Sequence, residues 1–279
     1  AAHNIRVEGG PGGTLHHGLH KYPAWAGVVV IAEVSQIPLA LWAAIQTWLI
    51  SDATFVCIGD VRNQFGAAYN RWRQTEVAAR VNNSLCFKLL CGFIRANFVK
   101  YRRGKDTKFF ELYTSLVGDD VAQVRARILE MFPRTGEPIW TLTVSHRERS
   151  HINLKHNEIT YKRRNGGTWI KPTEQIDRRG FWLTPGCHVI GCQTDTGIVN
   201  GQLYVVKEGR TLQLLDRDEQ VELTDARCIR RCHCLCYYSA QGRTLRGLVR
   251  LMISHPKIST AAIIVGLSRA TSPELIDAM

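Results

Sequence analysis

Short apolar runs separated by turn residues predict a strand–helix–strand unit in the first part of the chain. The β-branched run at residues 28–31 predicts a buried strand. After Pro38, apolar residues recur at helical spacing over residues 39–49, and residues 54–58 predict a second strand. A strand, a helix and a strand at this spacing form a βαβ unit, so we expect a parallel sheet covered by helices.

Proline and glycine residues mark a predicted domain boundary near the middle of the chain. Residues 71–131 are expected to be mostly helical. Three helix-breaking residues then interrupt the chain, namely Pro133, Gly136 and Pro138. We therefore expect a first domain at residues 1–135 and a second domain at residues 136–279.

The second domain combines strands, a helix and a segment rich in turns. Residues 139–144 predict a strand, and residues 146–157 predict a helix. Over residues 161–225, short alternating runs are separated by Gly-Gly, Pro-Gly, Asn-Gly and Glu-Gly turns, which predicts β-hairpins. Residues 232–238 predict a further strand, and residues 261–267 predict a last buried strand. The predicted fold class is α/β.

Composition indicates a globular protein with an anionic partner. The 279 residues are 45% hydrophobic and 22% charged, and the net charge is +12. Nucleic acid is the commonest partner of such a basic chain, although a basic surface without a partner is the alternative. Nine cysteines, an odd number, favour a reducing intracellular compartment. No apolar stretch of the sequence approaches a membrane span, and its polar, glycine-rich first residues do not resemble a signal peptide, so no membrane partner is expected.

Polar residues follow the predicted strands at four places, which are residues 33–36, 59–64, 239–244 and 265–270. The carboxyl ends of parallel strands converge on the crevice where ligands bind. Among these residues are an acid, an amide and a cation, Glu33, Gln64 and Arg269. Phosphoryl transfer needs such groups, because the acid polarises water, the amide senses a phosphate and the cation offsets charge in the transition state.

In this order the motifs resemble those of superfamily 1 DNA helicases, in particular the Pif-type and RecD-type branch, over most of the chain. The sequence Gly-Gly-Thr-Leu-His at residues 12–16 looks like motif Ia. Ala32 and Glu33 look like motif II, the Walker B strand, and residues 59–64 look like motif III. Arg103 resembles the arginine of the segment that follows motif III.

The second half of the chain carries the later motifs of the same family. Ser-His-Arg at residues 145–147 resembles motif IV, and Asn200 lies in a stretch that resembles the hairpin region of the second motor domain. Residues 241–244 look like motif V, and residues 267–269 look like motif VI with its arginine finger. The resemblance implies two RecA-like domains of the P-loop NTPase type with parallel sheets, the first of them truncated at its N-terminus.

The resemblance also implies roles and partners. ATP and Mg²⁺ would be the cofactors, and single-stranded or forked DNA would be the partner of a monomeric motor that moves 5′ to 3′. Glu33 would be the general base, Gln64 the γ-phosphate sensor and Arg269 the arginine finger. The residues expected to bind ATP are Asp60, Arg103, Arg147, Gln241 and Gly242. The residues expected to contact nucleic acid are Thr14, His16, Asn200, Tyr238 and Thr244.

Three departures from the family pattern bear on activity. No Gly-x-x-x-x-Gly-Lys-Ser/Thr motif occurs in the 279 residues, and truncation before Ala1 is the simplest explanation. Ala32 stands where the family has the aspartate that helps to hold Mg²⁺, and a methyl group cannot do so. The threonine and histidine that usually begin motif V fall on Cys236 and Tyr238, and the tyrosine could still stack on a base.

Two alternatives remain open at this point. The first concerns function: the chain is either the motor portion of an ATP-dependent DNA helicase, in the nucleus, mitochondrion or cytoplasm, or a catalytically inactive remnant that at most binds nucleic acid. The second concerns a group of residues that could bind zinc, namely Cys228, Cys232, His233, Cys234 and Cys236. Cysteines that alternate along one strand are better explained as structural, because zinc pairs usually lie on turns, so no zinc is expected.

Overall fold

The computed structural model describes residues 4–7, 13–14, 27–37, 39–45, 53–60, 83–98, 106–171, 180–193 and 197–279. By its internal contacts the chain divides into two compact units. Unit 1 comprises residues 1–128, 238–244 and 258–273, and unit 2 comprises residues 129–237, 245–257 and 274–279. The segments that resemble motifs V and VI therefore belong to unit 1, and the domain boundary expected after residue 135 stays a prediction.

Unit 1 is built on a four-stranded mixed sheet. Its strands are β1 (Asn4–Val7), β2 (Gly13–Thr14), β3 (Gly27–Ala32) and β4 (Ala53–Ile58), in the order β2-β1-β3-β4. Strand β1 is antiparallel to β3, whereas β3 and β4 are parallel along their whole length. Helix α1 (Leu39–Ile45) connects the parallel pair. The predicted βαβ unit is therefore confirmed, and it directs the ends of β3 and β4 to the same edge of the sheet.

Three further helices follow within the described residues of the first half of the chain. They are α2 (Leu85–Leu90), α3 (Thr107–Ser115) and α4 (Val121–Met131). Ser84 and Asp106 cap α2 and α3, because their side chains accept hydrogen bonds from Phe87 N and Phe109 N. A buried cluster joins β3, the turn after it, α1 and α2, and it consists of Val29, Ile31, Val34, Ile37, Leu41, Trp42, Ile45 and Leu90.

Unit 2 is built on an all-parallel sheet. Its strands are β5 (Trp140–Thr143), β13 (Cys234–Cys236), β14 (Val249–Leu251) and β15 (Ile276–Ala278), in the order β13-β5-β14-β15. Every residue of these strands is buried, as expected for parallel strands that are covered on both faces. Helix α5 (His146–Arg164) follows β5 and is capped by Ser145, whose hydroxyl accepts from Glu148 N at 3.0 Å.

The remaining strands of unit 2 are antiparallel. Strands β6 (Thr168–Ile170) and β7 (Phe181–Leu183) form a hairpin. A five-stranded sheet, in the order β11-β10-β9-β8-β12, contains β8 (His188–Gly191), β9 (Leu203–Val206), β10 (Thr211–Leu214), β11 (Gln220–Glu222) and β12 (Ile229–Arg231). The predicted hairpins are confirmed, except that residues 161–164 belong to the end of α5.

Two asparagines of α5 fix the helix to different strands of unit 2. The amide of Asn153 donates to Cys234 O at 2.9 Å and accepts from Cys234 N at 2.7 Å. One turn later, Asn157 makes the same pair of bonds to Trp182, at 2.7 and 2.9 Å. Both asparagines are buried, so their amides satisfy backbone groups that would otherwise lack a partner at a strand edge. Asn153 therefore has a structural task in unit 2.

Two predictions about the C-terminal part of the chain are wrong. Residues 261–267 form a helix, α7 (Thr260–Leu267), whose first turn is capped by the Ser259 hydroxyl. An unbroken apolar run has no period, so it fits a buried helix as well as a strand. The strand expected at residues 232–238 is limited to β13, and a short helix, α6 (Tyr237–Ala240), follows it at once. Within the described ranges, no helix combines the length and the apolar character that a membrane span requires.

Candidate functional site

Glu33 occupies a strained turn directly after β3. Its backbone has φ 57° and ψ 45°, the left-handed region that residues other than glycine rarely adopt. A 3₁₀ turn, Val34–Gln36, follows, and its three residues are buried. Gln36 N donates to Glu33 O at 2.9 Å and closes this turn. Such a backbone costs on the order of 1–3 kcal/mol and persists only where its surroundings enforce it.

The end of β4 helps to hold that turn. A Cβ atom at Gly59 would lie 2.7 Å from Val34 Cγ2 and 2.8 Å from Val34 N, so only glycine allows the two chain segments to approach this closely. Asp60 follows Gly59 and is half-buried. The tight packing of Gly59 against Val34 thus fixes the backbone on the far side of Glu33.

A second turn, at residues 241–242, covers the Glu33 side chain. Gly242 has φ +78°, and a Cβ atom there would lie 3.1 Å from Glu33 Oε1 and 3.2 Å from its carboxyl carbon. Next to it, the Gln241 amide donates to the Ser35 hydroxyl at 3.3 Å, and both side chains are buried. The two turns, which are about 200 residues apart in the chain, therefore meet in unit 1.

One oxygen of the Glu33 carboxylate is buried and accepts no hydrogen bond from the described residues. This atom, Oε2, has almost no accessible surface. A buried carboxylate oxygen in this state is unfavourable by about 1–3 kcal/mol or more. The position therefore suits a hydrogen-bond donor such as a water molecule, or a cation that coordinates the oxygen.

Arg269 holds the second turn in place. Its side chain is 1% exposed. Nη1 donates to Arg243 O at 3.0 Å and to Ala240 O at 3.4 Å, so the guanidinium binds the main chain on both sides of the 241–242 turn. Nε donates to Val265 O at 3.0 Å and anchors the same group to α7. In this arrangement Arg269 positions the turn over Glu33, and its role as an arginine finger stays a prediction.

The structure thus brings together four of the residues selected from the sequence, namely Glu33, Gln241, Gly242 and Arg269. Asp60 lies at the end of β4, in the same unit. Ser35 and Gly59 were not assigned a role by the sequence argument, although both lie inside its strand-end motifs. Their task becomes visible only as a contact, since Ser35 binds Gln241 and Gly59 packs on Val34.

Other selected residues lie elsewhere in unit 1 or beyond the described ranges. Tyr238 is on α6 and 40% exposed, and burial of part of its ring raises the pKa of the phenol. Thr244 is exposed and lies just after the 241–242 turn. Thr14 belongs to β2. Three of the selected residues lie outside the residues that the structure describes, and these are His16, Gln64 and Arg103.

Two of the selected residues belong to unit 2. Arg147 is exposed in the first turn of α5, and Asn200 is exposed in the turn before β9. Neither is in unit 1 with Glu33. Their assignments to ATP and to nucleic acid stay predictions.

The cysteines near β12 and β13 are buried rather than arranged around an open site. Cys232 lies before β13 and does not alternate with Cys234 and Cys236 along one strand, so that part of the sequence argument is wrong. Burial raises the pKa of the Cys234 and Cys236 thiols, which disfavours the thiolate that a metal needs. In the described part of the chain, no group of three or more His, Cys, Asp or Glu side chains could hold a metal ion.

Comparisons with known proteins bear on the fold. No protein-family model and no curated protein matches the chain. Among solved structures, the Pif1 helicase from Candida albicans aligns with a TM-score of 0.64 and 16% identity, over 96% of this chain and 77% of that one. A structure of DNA unwinding at forked dsDNA by two coordinating Pif1 helicases aligns with a TM-score of 0.64 and 16% identity, over 90% and 68%.

A third solved structure, the Bacteroides Pif1 helicase in complex with ADP-AlF3 and ssDNA, aligns with a TM-score of 0.60 and 16% identity, over 89% of this chain and 69% of that one. Identities this low show the fold alone. The parallel pair β3–β4 of unit 1 and the parallel sheet of unit 2 agree with RecA-like domains. The chain therefore shares the α/β fold of the solved Pif1 helicase structures.

Proposed function

We propose that the chain is the motor portion of an ATP-dependent DNA helicase, which binds single-stranded DNA and couples ATP hydrolysis to movement when a phosphate-binding loop is supplied. The observation that carries the proposal is the Glu33 carboxylate, which ends a parallel strand beneath a turn that Arg269 positions. A carboxylate at such a strand end is how nucleotide-hydrolysing α/β domains polarise water.

Two further observations support an anionic polymer as the partner. The net charge is +12, which favours binding to a polyphosphate backbone. The solved structures of similar fold include Pif1 helicases with ssDNA and at forked dsDNA. Binding of single-stranded or forked DNA is therefore the proposal for this chain, with Thr14, His16 and Thr244 as contacts.

The residues present fit only part of a Mg²⁺–ATP site. Glu33 offers a buried oxygen that accepts no hydrogen bond from the described residues, which suits a water molecule near a cation. Ala32 offers no oxygen where a second carboxylate would be needed, and the 279 residues contain no phosphate-binding loop motif. Bound Mg²⁺–ATP would supply the phosphoryl chemistry that drives movement along DNA.

The chain's own residues have separable tasks in this proposal. Glu33 would accept a proton from the attacking water through its carboxylate. Gly242 allows the second turn to approach that carboxylate, and Gln241 fixes the turn to Ser35. Arg269 keeps the main chain of that turn in place. Loss of any of these groups should therefore affect hydrolysis more than DNA binding.

The decisive experiment measures DNA binding and ATPase activity in parallel. The 279-residue chain is titrated into fluorescein-labelled single-stranded DNA at several salt concentrations, and we expect the affinity to fall steeply with salt. ATPase activity is measured on a form that carries a phosphate-binding loop, with and without Ala32→Asp, and Glu33→Gln is the control. DNA-stimulated hydrolysis that depends on Glu33 supports the motor. A loop-carrying form that never hydrolyses ATP in the presence of DNA refutes it.

Ala32 favours a second candidate, a non-enzymatic remnant that binds nucleic acid. In that case DNA binding persists, and Ala32→Asp gives no ATPase activity in the loop-carrying form. A large gain of activity from Ala32→Asp would instead identify Ala32 as the disabling residue of a motor. Failure of the wild-type chain to bind single-stranded DNA would refute both candidates.

A further inference from the structure

Three aromatic rings form a continuous ladder in unit 2. The ring of Tyr161, on α5, stacks on the ring of Trp182, on β7, with 4.0 Å between centroids and 11° between planes. Trp169, directly opposite Trp182 in the β6–β7 hairpin, continues the ladder at 4.9 Å and 57°. The ladder therefore runs from a helix to a hairpin and ends in a tryptophan.

Packing alone does not explain the last member of this ladder. Trp182 is already stacked face to face on Tyr161, whereas Trp169 keeps 44% of its surface exposed. A large apolar ring that is half exposed on a hairpin strand offers a face on which another flat ring can stack. Unpaired bases of single-stranded nucleic acid supply such rings, and every base has a face that can stack.

A cavity of about 420 Å³ adjoins Trp169 and has a basic lining. Its described lining includes the side chains of Lys171, Arg210 and Arg227 and a single carboxylate, that of Asp225. Arg227 pairs with Asp225 at 2.8 Å, so among the described lining residues the positive charge of Lys171 and Arg210 is in excess. This volume accommodates a nucleotide, and cations beside an aromatic face match a base joined to its phosphate.

We propose that Trp169 and the cavity beside it form a binding site for one unstacked nucleotide of a single-stranded polynucleotide, with the base on Trp169 and the phosphate near Lys171 and Arg210. The site lies entirely in unit 2, and none of the motif residues discussed above belongs to it. It deepens the proposed function, because it rests on the chain binding single-stranded nucleic acid.

The test measures the affinity of the full chain for fluorescein-labelled dT12 by anisotropy. Trp169→Ala should weaken binding by roughly 5- to 150-fold, which corresponds to about 1–3 kcal/mol of stacking on one base. Trp169→Phe keeps a stacking face and should retain most of the affinity. Phe98→Ala removes an aromatic ring that is 91% exposed in unit 1, and it should leave the affinity unchanged.

Charge reversal tests the phosphate contact separately. The plot of log affinity against log salt should become less steep by about 1 for Lys171→Glu, and likewise for Arg210→Glu. The control Arg127→Glu, at an exposed position of α4, should leave the steepness unchanged. Neither the stacked ring nor the cations contact the 2′-hydroxyl of the sugar in this proposal. Trp169→Ala should therefore weaken binding of the RNA rU12 by a factor similar to that for dT12.

The outcomes separate this inference from the proposed function. If the wild-type chain does not bind dT12, the proposed function and this inference both fail. If it binds and Trp169→Ala binds equally well, with an unchanged thermal melt, this inference alone fails. If the mononucleotide dTMP binds at Trp169 as tightly as dT12, as measured by tryptophan quenching that Trp169→Ala removes, the site is not one for a polynucleotide and the inference is also overturned.

Discussion

Acidification should destabilise unit 2 through a buried pair of stacked histidines. His233, which precedes β13, stacks on His156 of α5 with 3.5 Å between ring centroids and 5° between planes. His233 is 8% exposed, and a ring nitrogen lies 3.4 Å from Thr141 Oγ1. Burial, and then the charges of His156 and His188, lower the pKa of His233 to about 3. Burial likewise lowers the pKa of His188 to about 4.

The sign and size of the effect follow from these values. A histidine in the unfolded chain has a pKa of about 6.5, so below that pH the unfolded chain binds a proton at this position. In the folded chain His233 stays neutral until a much lower pH, so acidification favours unfolding. The stabilisation is complete above pH 6.5 and is lost as the pH falls towards the folded values. For His233 alone, the loss between pH 7 and pH 4 is on the order of 3 kcal/mol. The histidines interact, so their separate losses do not add.

Urea unfolding at pH 7 and at pH 4 measures this loss, with His233→Phe as the test variant. Phenylalanine keeps the ring stack and cannot be protonated, so this variant should lose about 3 kcal/mol less on acidification than the wild type. His151→Phe, at an exposed position of α5, should behave like the wild type. Each variant is compared with itself at two pH values, so a constant change in stability cancels. Equal acid losses for His233→Phe and the wild type would refute the reasoning.

Three further predictions concern glycine, a buried ion pair and a thiol. Gly242→Ala should lower the free energy of unfolding, measured by heat or urea, by about 1–3 kcal/mol more than Gly118→Ala does. Both glycines have positive φ, but only at Gly242 would a Cβ atom lie against a neighbour, the Glu33 carboxylate. Arg250→Met leaves the fully buried Asp277 without the guanidinium that lies 2.6 Å away, and it should lower the free energy of urea unfolding by about 3–5 kcal/mol. The double variant with Asp277→Leu should recover much of that loss, because no unpaired charge then stays buried. A hydrogen bond from a neighbouring thiol lowers the pKa of Cys91 to about 7. Peptide mapping after brief alkylation at pH 7.5 should therefore find Cys91 modified before the buried cysteines of unit 2.

The sequence predicted those elements whose pattern has one physical explanation. The β-branched run of β3, its partner β4 and the helix between them follow from period, spacing and chain connectivity, and the structure confirms them. The run that forms α7 is apolar at every position, so its period carries no information, and the strand predicted there is wrong. Only the Ser259 hydroxyl, which caps the helix, could have indicated the correct structure.

The candidate site was partly predictable for a similar reason. Strand-end positions identify Glu33, and the motif order identifies Gln241, Gly242 and Arg269. The contacts between the Glu33 turn and the 241–242 turn are not encoded in any local pattern, because they join segments about 200 residues apart. The hydrogen bonds from Arg269 to that turn span 26 and 29 residues, which is also beyond any local period. Arg269 can bind the carbonyl groups of Ala240 and Arg243 only because α7 ends close to the 241–242 turn. No short-range sequence signal specifies that position.

The two charged groups of the site differ in how the protein satisfies them, and that difference bears on function. Arg269 donates to three main-chain carbonyls and to Ser268 Oγ, so the fold itself uses its guanidinium. Glu33 is held in a left-handed turn with one buried oxygen that accepts no hydrogen bond from the described residues. Backbone strain and a buried carboxylate oxygen that accepts no hydrogen bond from the described residues both lower stability. A ligand that brings a donor to Glu33 recovers part of this cost and must therefore stabilise the fold by linkage. This arrangement is expected of a site retained for binding or catalysis rather than of a turn retained for structure.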